Sequence, residues 1–131
     1  MRLNHDLIRD LLLALEDNLT LGENGLPCRF TLNDLLNVEK IAKYPSPEII
    51  YTTQRLIEAG YISAKMLCAS NQLHELTYSH LTFDGHQYLD SIRDKEVWDS
   101  VKAGLSKVGG SAGLSLILNI ANSVIRRIIG F

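Results

Sequence analysis

Residues 81–98 read LTFDGHQYLDSIRDKEVW, a pattern typical of a strand that passes directly into a helix. Thr82 is a good residue to cap the start of that helix, and apolar residues then recur at helical spacing. Upstream, residues 61–68 and 73–81 alternate between apolar and polar side chains, which predicts two strands joined by a short turn. This junction indicates a two-stranded wing followed by a helix.

The alternation gives each strand of the wing an apolar face. In the first strand, this face consists of Ile62, Ala64, Met66 and Cys68. In the return strand, Leu76, Tyr78 and His80 lie on one face. A further short strand is predicted over residues 29–32, before the second helix. The wing is therefore expected to contain two or three antiparallel strands.

Helices precede the wing. Asn4 caps a first helix that ends near Asn18. Thr31 or Asn33 caps a second helix that continues to Lys43. Two helices followed by a third at residues 46–59 form a helix-turn-helix pattern.

The helix over residues 46–59 has the clearest start signal in the chain. Ser46 is its predicted N-cap, proline follows at the first helical position, and an acidic residue follows in the first turn, where the helix dipole favours negative charge. Gly60 supplies the left-handed residue after its end. Its predicted inward side chains are Ile49, Thr53, Leu56 and Ile57.

These elements predict an α+β winged helix-turn-helix fold with a C-terminal helical extension. Residues 1–108 form the winged-helix domain with its trailing helix, and a bend or break is expected at Arg93–Asp94. Residues 109–113 form a glycine-rich linker. Residues 114–131 form an amphipathic C-terminal helix.

Composition and charge narrow the class of protein. The 131 residues are 46% hydrophobic and 21% charged, as in an ordinary soluble domain. Residues 1–94 hold 8 Lys or Arg and 13 Asp or Glu, whereas residues 95–131 hold 5 and 2. Because phosphate neutralisation supplies most non-specific DNA affinity, the acidic balance of residues 1–94 argues against strong DNA binding by that segment alone.

The N-terminus and the cysteines indicate a cytoplasmic protein. Residues 1–13 interleave charged and apolar side chains, which is typical of an amphipathic helix and not of an export signal. Cys28 and Cys68 are far apart and have no metal-ligand spacing. Two buried, reduced thiols are predicted, with a disulfide between them as the alternative.

No enzyme is predicted. His86 lies near Asp84 and His80, but histidines six residues apart do not have a ligand spacing on one helix. The prediction for His86 is a structural side chain, bonded across the strand-to-helix corner. Gly109–Gly110 lacks the Lys-Ser/Thr that completes a phosphate loop. No catalytic residue, metal or cofactor is expected.

The predicted DNA contacts lie on the helix over residues 46–59 and beside it, because a helix-turn-helix inserts its second helix into the major groove. These residues are Lys43, Ser46, Tyr51, Thr52, Arg55 and Lys65. Glu48 and Glu58 flank the same helix and repel phosphate. The surface could therefore meet a protein partner instead.

The C-terminal helix has three interpretations: docking on its own domain, pairing with a second copy, or lying on a membrane surface. It is too short to span a bilayer. Homodimerisation is predicted, because so wide an apolar stripe needs a partner surface. The dimerisation residues are Leu114, Ile117, Leu118, Ala121, Val124, Ile125 and Ile128. A membrane surface is the less favoured partner.

The most distinctive motif is the pattern Leu-Thr-x-x-Gly-His-x-x-Leu-x-x-Ile-Arg with a following Trp. Here it comprises Leu81, Thr82, Gly85, His86, Leu89, Ile92, Arg93 and Trp98. With residues 3–10 and 57–62, it resembles a bacterial and prophage family named domain of unknown function 2513. The resemblance covers most of the chain and implies a winged-helix fold and a cytoplasmic, often phage-associated protein. No established activity comes with it.

The fold and the resemblance together predict a function without catalysis. The prediction is a small DNA-binding transcriptional regulator of bacterial or prophage origin. The alternative is an acidic winged-helix module that binds a protein partner and not DNA.

Overall fold

The computed structural model describes residues 2–107 and 114–129. Within them the chain has an α+β fold, mostly helical, with one two-stranded antiparallel sheet. The chain divides into two compact units, Met1–His86 and Gln87–Phe131. The predicted linker 109–113 lies outside the described residues.

The elements follow one another in the predicted order. The first unit contains helices α1 (His5–Asn18), α2 (Leu32–Leu36), α3 (Glu39–Ala42) and α4 (Ser46–Glu58) and strands β1 (Ile62–Ala69) and β2 (Gln72–Leu81). Helix α5 (Phe83–Ile92) crosses the boundary between the units, and α6 (Lys95–Lys107) and α7 (Leu114–Ile129) follow. The break at Arg93–Asp94 is confirmed. The continuous second helix is wrong, because it divides at residues 37–38 into α2 and α3.

Side chains and glycine set several helix ends. The Asn4 Oδ1 accepts a hydrogen bond from the Leu7 amide at 3.1 Å, and Thr31 forms a reciprocal capping box with Asp34. Helix α4 begins one residue earlier than predicted, so Pro45 occupies the cap position and Ser46 is helical without a side-chain cap bond.

The C-terminal end of α4 is closed by backbone hydrogen bonds around a glycine. The Tyr61 amide donates to the Leu56 carbonyl at 2.9 Å, and the Gly60 amide donates to the Ile57 carbonyl at 3.0 Å. Gly60 has φ of 78°, in the left-handed region that favours glycine. This is a Schellman motif, and it confirms the predicted role of Gly60.

The predicted hairpin is present, with strand ends that differ by one residue. Strands β1 and β2 pair antiparallel, and Ala69 lies opposite Gln72. The two residues between them, Ser70 and Asn71, have φ of 54° and 62°. Positive φ at both central positions is the geometry of a tight two-residue hairpin turn.

Two register shifts in β2 change which side chains face the core. Ser63 pairs with His80 and Ala64 with Tyr78, so Ser79 is an extra residue in β2. A β-bulge of this kind reverses the alternation beyond it. His80 is therefore exposed, and Leu81 is buried instead. The prediction that His80 shares the buried face of Tyr78 is wrong.

The predicted strand over residues 29–32 is reduced to a short pairing on the free edge of β2. Thr31 forms an isolated antiparallel bridge with Thr77, and the Tyr78 amide donates to the Phe30 carbonyl at 2.8 Å. The Phe30 and Tyr78 rings meet edge to face, with centroids 6.4 Å apart. This pairing ties the segment before α2 to the hairpin.

The core of the first unit lies between the helices and the inner face of the hairpin. Its buried apolar residues include Leu7, Ile8, Leu11, Leu12, Leu15, Leu35, Ile41, Ile49, Leu56, Ile62, Leu76, Tyr78 and Leu81. The Tyr78 hydroxyl lies 2.7 Å from the Thr53 Oγ1, which itself donates to the Ile49 carbonyl. Burial raises the pKa of Tyr78 to about 12. The ring thus packs in the core with its polar atom satisfied.

The start of α5 is joined to the end of α4 by backbone contact. The Thr82 Oγ1 accepts a hydrogen bond from the Gly85 amide at 3.1 Å and donates to the Gly60 carbonyl. The Thr82 amide also donates to the Tyr61 carbonyl at 3.0 Å. A Cβ atom on Gly85 would lie 1.9 Å from the Tyr61 carbonyl oxygen. Only glycine permits this approach.

The second unit contains a pair of packed helices, α6 and α7. Its buried side chains in the described residues include Tyr88, Leu89, Ile92, Val97, Trp98, Val101, Leu105, Ile117, Ala121 and Val124. The Asp94 Oδ1 accepts a hydrogen bond from the Val97 amide at 3.1 Å, which caps the start of α6. A Cβ atom on Gly104 would lie 3.4 Å from the Ile120 Cγ2.

The two cysteines are not where the sequence places them. Cys28 and Cys68 are both free, as predicted, but both are exposed, so the prediction of buried thiols is wrong. Cys28 lies in a loop and Cys68 lies on β1, and both are away from the apolar core.

Within residues 2–107 and 114–129, no helix has the length and apolar character needed to cross a bilayer.

The two helical glycines provide a matched pair of substitutions. Gly85→Ala would drive a methyl group into the Tyr61 carbonyl, so we expect it to lower the free energy of unfolding by about 2 kcal/mol or more. Gly104→Ala meets only the end of the Ile120 side chain. We expect it to be neutral or to stabilise by up to about 1 kcal/mol through helix propensity. Urea unfolding followed by circular dichroism measures both, and a Gly85→Ala protein of unchanged stability would contradict the close contact.

Candidate functional site

The candidate site is the outer face of α4 together with the turn before it and the nearby hairpin. Helix α4 packs by its inner face against α1 and β1. The buried residues of that face are Ile49, Thr52, Thr53 and Leu56. Ile57 is only half-buried, so the predicted inner face is rotated toward Thr52.

Thr52 is removed from the predicted DNA contacts by this rotation. Its side chain is 1% exposed, and its Oγ1 has no hydrogen-bond partner among the described residues. Burying the Thr52 hydroxyl without a partner is energetically unfavourable, so helical spacing alone did not predict that Thr52 is buried. Thr52 cannot reach a ligand on the outer face.

Tyr51 and Arg55 form the most defined feature of the outer face. The Arg55 guanidinium carbon lies 5.2 Å from the centroid of the Tyr51 ring, a cation–π arrangement. The same guanidinium is 3.1 Å from the Glu58 carboxylate, one turn further along the helix. The structure thus brings together two of the predicted contact residues and pairs one of them with an acid.

The turn before α4 is held by α1. The Tyr44 hydroxyl donates to the Asp10 Oδ2 at 2.7 Å, and the Lys43 ammonium lies 3.4 Å from the same oxygen. Burial, and then the hydrogen bond to Asp10, raise the pKa of Tyr44 well above its ordinary value. Lys43 therefore pairs with Asp10 while its side chain stays 62% exposed, and its role as a phosphate contact stays a prediction.

The first turn of α4 is tied down in the same way. The Asn4 side-chain amide donates to the Glu48 Oε1 at 3.1 Å. Asn4 also caps α1, so one side chain joins the N-terminal ends of α1 and α4. The predicted flanking acid Glu48 is thus held by Asn4 close enough to Tyr44 to act on it electrostatically, and it adds negative charge at this end of the helix.

Ser46 and Lys65 remain exposed, as a contact residue must be. Ser46 lies at the start of α4. Lys65 projects from β1, which contacts α4, and it makes no ion pair with any residue that the structure describes. The positions of these two side chains are compatible with their predicted roles, which stay predictions.

Gln54 is a residue of the outer face of α4 that the sequence interpretation missed. It follows Tyr51 by three residues on α4 and is half-buried at the outer face. Helical periodicity predicts that Gln54 lies beside Tyr51, but only after Thr52 is assigned to the buried face. An amide here adds a donor and an acceptor beside the Tyr51–Arg55 pair.

The predicted dimerisation residues lie on α7. Ile117, Ala121 and Val124 are buried in the second unit, where α7 packs along α6 of the same chain. Leu118 and Ile125 are half-buried and lie two turns apart on one side of this stripe. The side chains of Leu114 and Ile128 lie outside the described residues. One chain therefore covers only part of the apolar face.

The described residues contain no cluster of three or more His, Cys, Asp or Glu side chains that could hold a metal ion. His86 is half-exposed, and its Nδ1 lies 3.9 Å from the Glu16 Oε2 on α1. The predicted side-chain bond across the strand-to-helix corner is made by Thr82 and not by His86.

Comparison with known proteins places the chain in a family. The profile of the family described as "Hypothetical protein (DUF2513)" matches residues 2–111. The chain belongs to this family. An uncharacterized protein of Haemophilus influenzae (strain ATCC 51907 / DSM 11121 / KW20 / Rd) is 30% identical over 129 residues, which cover 98% of this chain and 99% of the relative. No solved structure matches the chain.

The family membership confirms the resemblance seen in residues 81–98. The structure explains that motif physically, because Thr82 caps α5 and Gly85 allows α5 to touch the Tyr61 carbonyl. The description of the family names no activity, so the function has to be argued from the site.

Two tyrosines on the candidate site differ in a testable way. Tyr44→Phe removes the only tyrosine hydroxyl that bonds Asp10 in the described residues, so we expect a loss of about 1–3 kcal/mol in the free energy of unfolding. Tyr51→Phe is the matched control, because its ring is on the outer face and its hydroxyl bonds no residue that the structure describes. Urea unfolding at neutral pH measures both, and equal stabilities would show that Asp10 does not hold the turn.

Proposed function

We propose that this protein is a small, non-catalytic winged-helix DNA-binding regulator of bacterial or prophage origin, acting in the cytoplasm. The observation that carries the proposal is the order of elements in the first unit. A helix, a short edge pairing at Thr31, two short helices, α4 and a hairpin follow one another along the chain. This is the order in which winged-helix proteins present a recognition helix and a wing, and it supports α4 as the recognition helix.

The charge of α4 does not prevent this role. Arg55 is paired with Glu58, but both side chains are largely exposed. An exposed pair of this kind contributes about 0–1 kcal/mol. Exchanging Glu58 for a DNA phosphate therefore costs little, and Lys65 adds a second exposed cation on β1, which contacts α4.

A protein partner is the second candidate, and a specific observation favours it. Lys43 is held by Asp10, whose side chain is only 16% exposed, and Glu48 lies in the first turn of α4. The end of the helix that would enter the major groove thus carries fixed negative charge. A partner with a basic surface fits this end better than phosphate does.

The two candidates differ in what Arg55 and Lys65 do. If α4 and β1 contact DNA, Arg55→Ala combined with Lys65→Ala should weaken binding to genomic fragments by about tenfold or more. It should also reduce the slope of log K against log salt by about one for each lost phosphate contact. Filter binding at moderate salt measures both quantities.

Lys40→Ala is the matched control, because Lys40 lies on α3 and pairs with Asp17 of α1 at 3.9 Å. It should change the affinity less than the double variant does. Binding by the wild type that the double variant leaves unchanged would show that this face is not the DNA contact. An absence of any binding to the fragments would favour the protein partner.

Homodimerisation through α7 is a further part of the proposal. Leu118 and Ile125 are half-buried on one side of the α6–α7 pair and offer an apolar strip to a second copy. The buried Ile117 and Val124 already serve the packing of one chain. The strip beside them, not the buried stripe itself, is the surface that a second copy would cover.

Two double variants separate these roles. Leu118→Asp with Ile125→Asp should convert a dimer into a monomer with unchanged helix content. Ile117→Asp with Val124→Asp should instead lower the helix content, because it places charge inside the helix pair. Analytical ultracentrifugation and circular dichroism measure the two effects. A wild-type protein that sediments as a monomer at high micromolar concentration would rule out self-association through α7.

A further inference from the structure

The loop that follows α1 exposes two leucines. It comprises residues 19–28 and is called the leucine loop below. Leu21 and Leu26 are 65% and 62% exposed, and they flank the turn at residues 22–25 on its two sides. A single exposed leucine is ordinary on a protein surface, but two that flank one turn give the loop an apolar tip.

The backbone of the leucine loop is closed by hydrogen bonds of its own. The Cys28 amide donates to the Thr20 carbonyl at 2.9 Å, and the Gly22 amide donates to the Leu26 carbonyl at 2.8 Å. Inside the turn, the Leu26 amide donates to the Asn24 Oδ1 at 3.0 Å. Because these bonds already order the loop, binding through its leucines would lose little conformational entropy.

The leucine loop lies at the far end of α1 from the start of α4. Asn4 caps α1 and bonds Glu48, so α1 and α4 begin together. The 14 residues of α1 span about 21 Å at a rise of 1.5 Å per residue. A partner on the leucine loop and DNA at the first turn of α4 would therefore occupy different ends of the first unit.

The leucine loop carries a single charged side chain, that of Glu23. Glu23 lies in the turn between the two leucines, is exposed, and makes no ion pair with any residue that the structure describes. The unit around it is acidic, because residues 1–86 hold 7 Lys or Arg and 11 Asp or Glu. A complementary surface would have apolar side chains with a cation at their border.

The strip formed by Leu118 and Ile125 on α7 has this composition. Both side chains are half-buried and lie two turns apart, beside the stripe that packs on α6. Arg126 lies about 100° further round the helix on the exposed side, and it makes no ion pair with any described residue. Residues 100–131 hold 4 Lys or Arg and no Asp or Glu. A second α7 would therefore bring only further cations to the strip, whereas the leucine loop brings an acid.

We propose that the leucine loop of one copy docks on the Leu118–Ile125 strip of a second copy. Leu21 and Leu26 cover the two apolar side chains, and Glu23 faces Arg126. One such contact is small, so the dimer contains it twice, with each copy giving its loop and receiving the loop of the other. This contact rests on the proposed dimerisation through α7, and it specifies which surface of the second copy covers the strip.

Charge exchange on the full chain tests the contact. Glu23→Arg and Arg126→Glu should each raise the dissociation constant of the dimer about tenfold, because repulsion replaces attraction in both contacts. The protein with both substitutions should dimerise nearly as tightly as the wild type. Analytical ultracentrifugation at several protein concentrations measures the dissociation constants, and circular dichroism checks the helix content. Direct pairing of two α7 helices predicts no such rescue, because Glu23 takes no part in it.

Leucine variants test the apolar part of the contact. Leu21→Ser with Leu26→Ser should weaken the dimer about tenfold or more, and the fold should be unchanged because both side chains are exposed in one chain. Phe83→Ser is the matched control. Phe83 is 75% exposed on the same unit and precedes an exposed acid, but it lies outside the leucine loop. This control should leave the dissociation constant unchanged.

Several results would overturn the proposal. A wild-type protein that is monomeric at high micromolar concentration excludes docking on a second copy. The leucine loop is excluded by a dimer that survives the leucine variants, that neither single charge variant weakens, or that the double charge variant does not restore. If such a dimer is still lost in Leu118→Asp with Ile125→Asp, dimerisation through α7 stands and only the leucine loop fails. If Arg126→Glu lowers the helix content, Glu23→Arg and the leucine variants decide the outcome.

Discussion

The contact on which the first unit depends is the one between the start of α5 and the end of α4. Thr82 bonds both the Gly60 and the Tyr61 carbonyl groups, and Gly85 has no side chain to separate α5 from Tyr61. Four elements end or begin within this contact: α4, β1, β2 and α5. Its polar groups are satisfied without water, so the chain turns from a hairpin into a helix at little cost.

The outer face of α4 shows how local charge is constrained by distant residues. Lys43 and Arg55 look alike in the sequence, yet one is held by Asp10 of α1 and the other only by Glu58 of its own helix. An exposed pair within a helix is weak and exchangeable, whereas a pair beside a half-buried tyrosine hydroxyl supports the fold. Both cations therefore already have an acidic partner in the chain, which a phosphate would have to replace. This is the physical basis for weighing a protein partner against DNA.

The bulge at Ser79 decides which side chains at the end of the hairpin are buried. A single extra residue at Ser79 exchanges the environments of His80 and Leu81. The leucine completes the core, and the histidine moves to the surface. A strand with strict alternation would have buried an imidazole beside Tyr78 and left a leucine in water. The bulge thus resolves a conflict in the sequence pattern.

Much of the fold could be predicted from the sequence, because many of its elements depend on local interactions. The ends of α1, the glycine that closes α4 and the cap at Thr82 depend on residues a few positions apart, so capping and periodicity rules identify them. The turn was expected over residues 69–72, and pairing of Ala69 with Gln72 shortens it to Ser70 and Asn71. The family followed from the same local motif. The candidate site was predicted only in part: Tyr51 and Arg55 do lie together, but the burial of Thr52 was not foreseen. The rotation of α4, the Lys43–Asp10 pair and the bulge at Ser79 were decided by tertiary structure alone, because each depends on contacts between residues far apart in the chain.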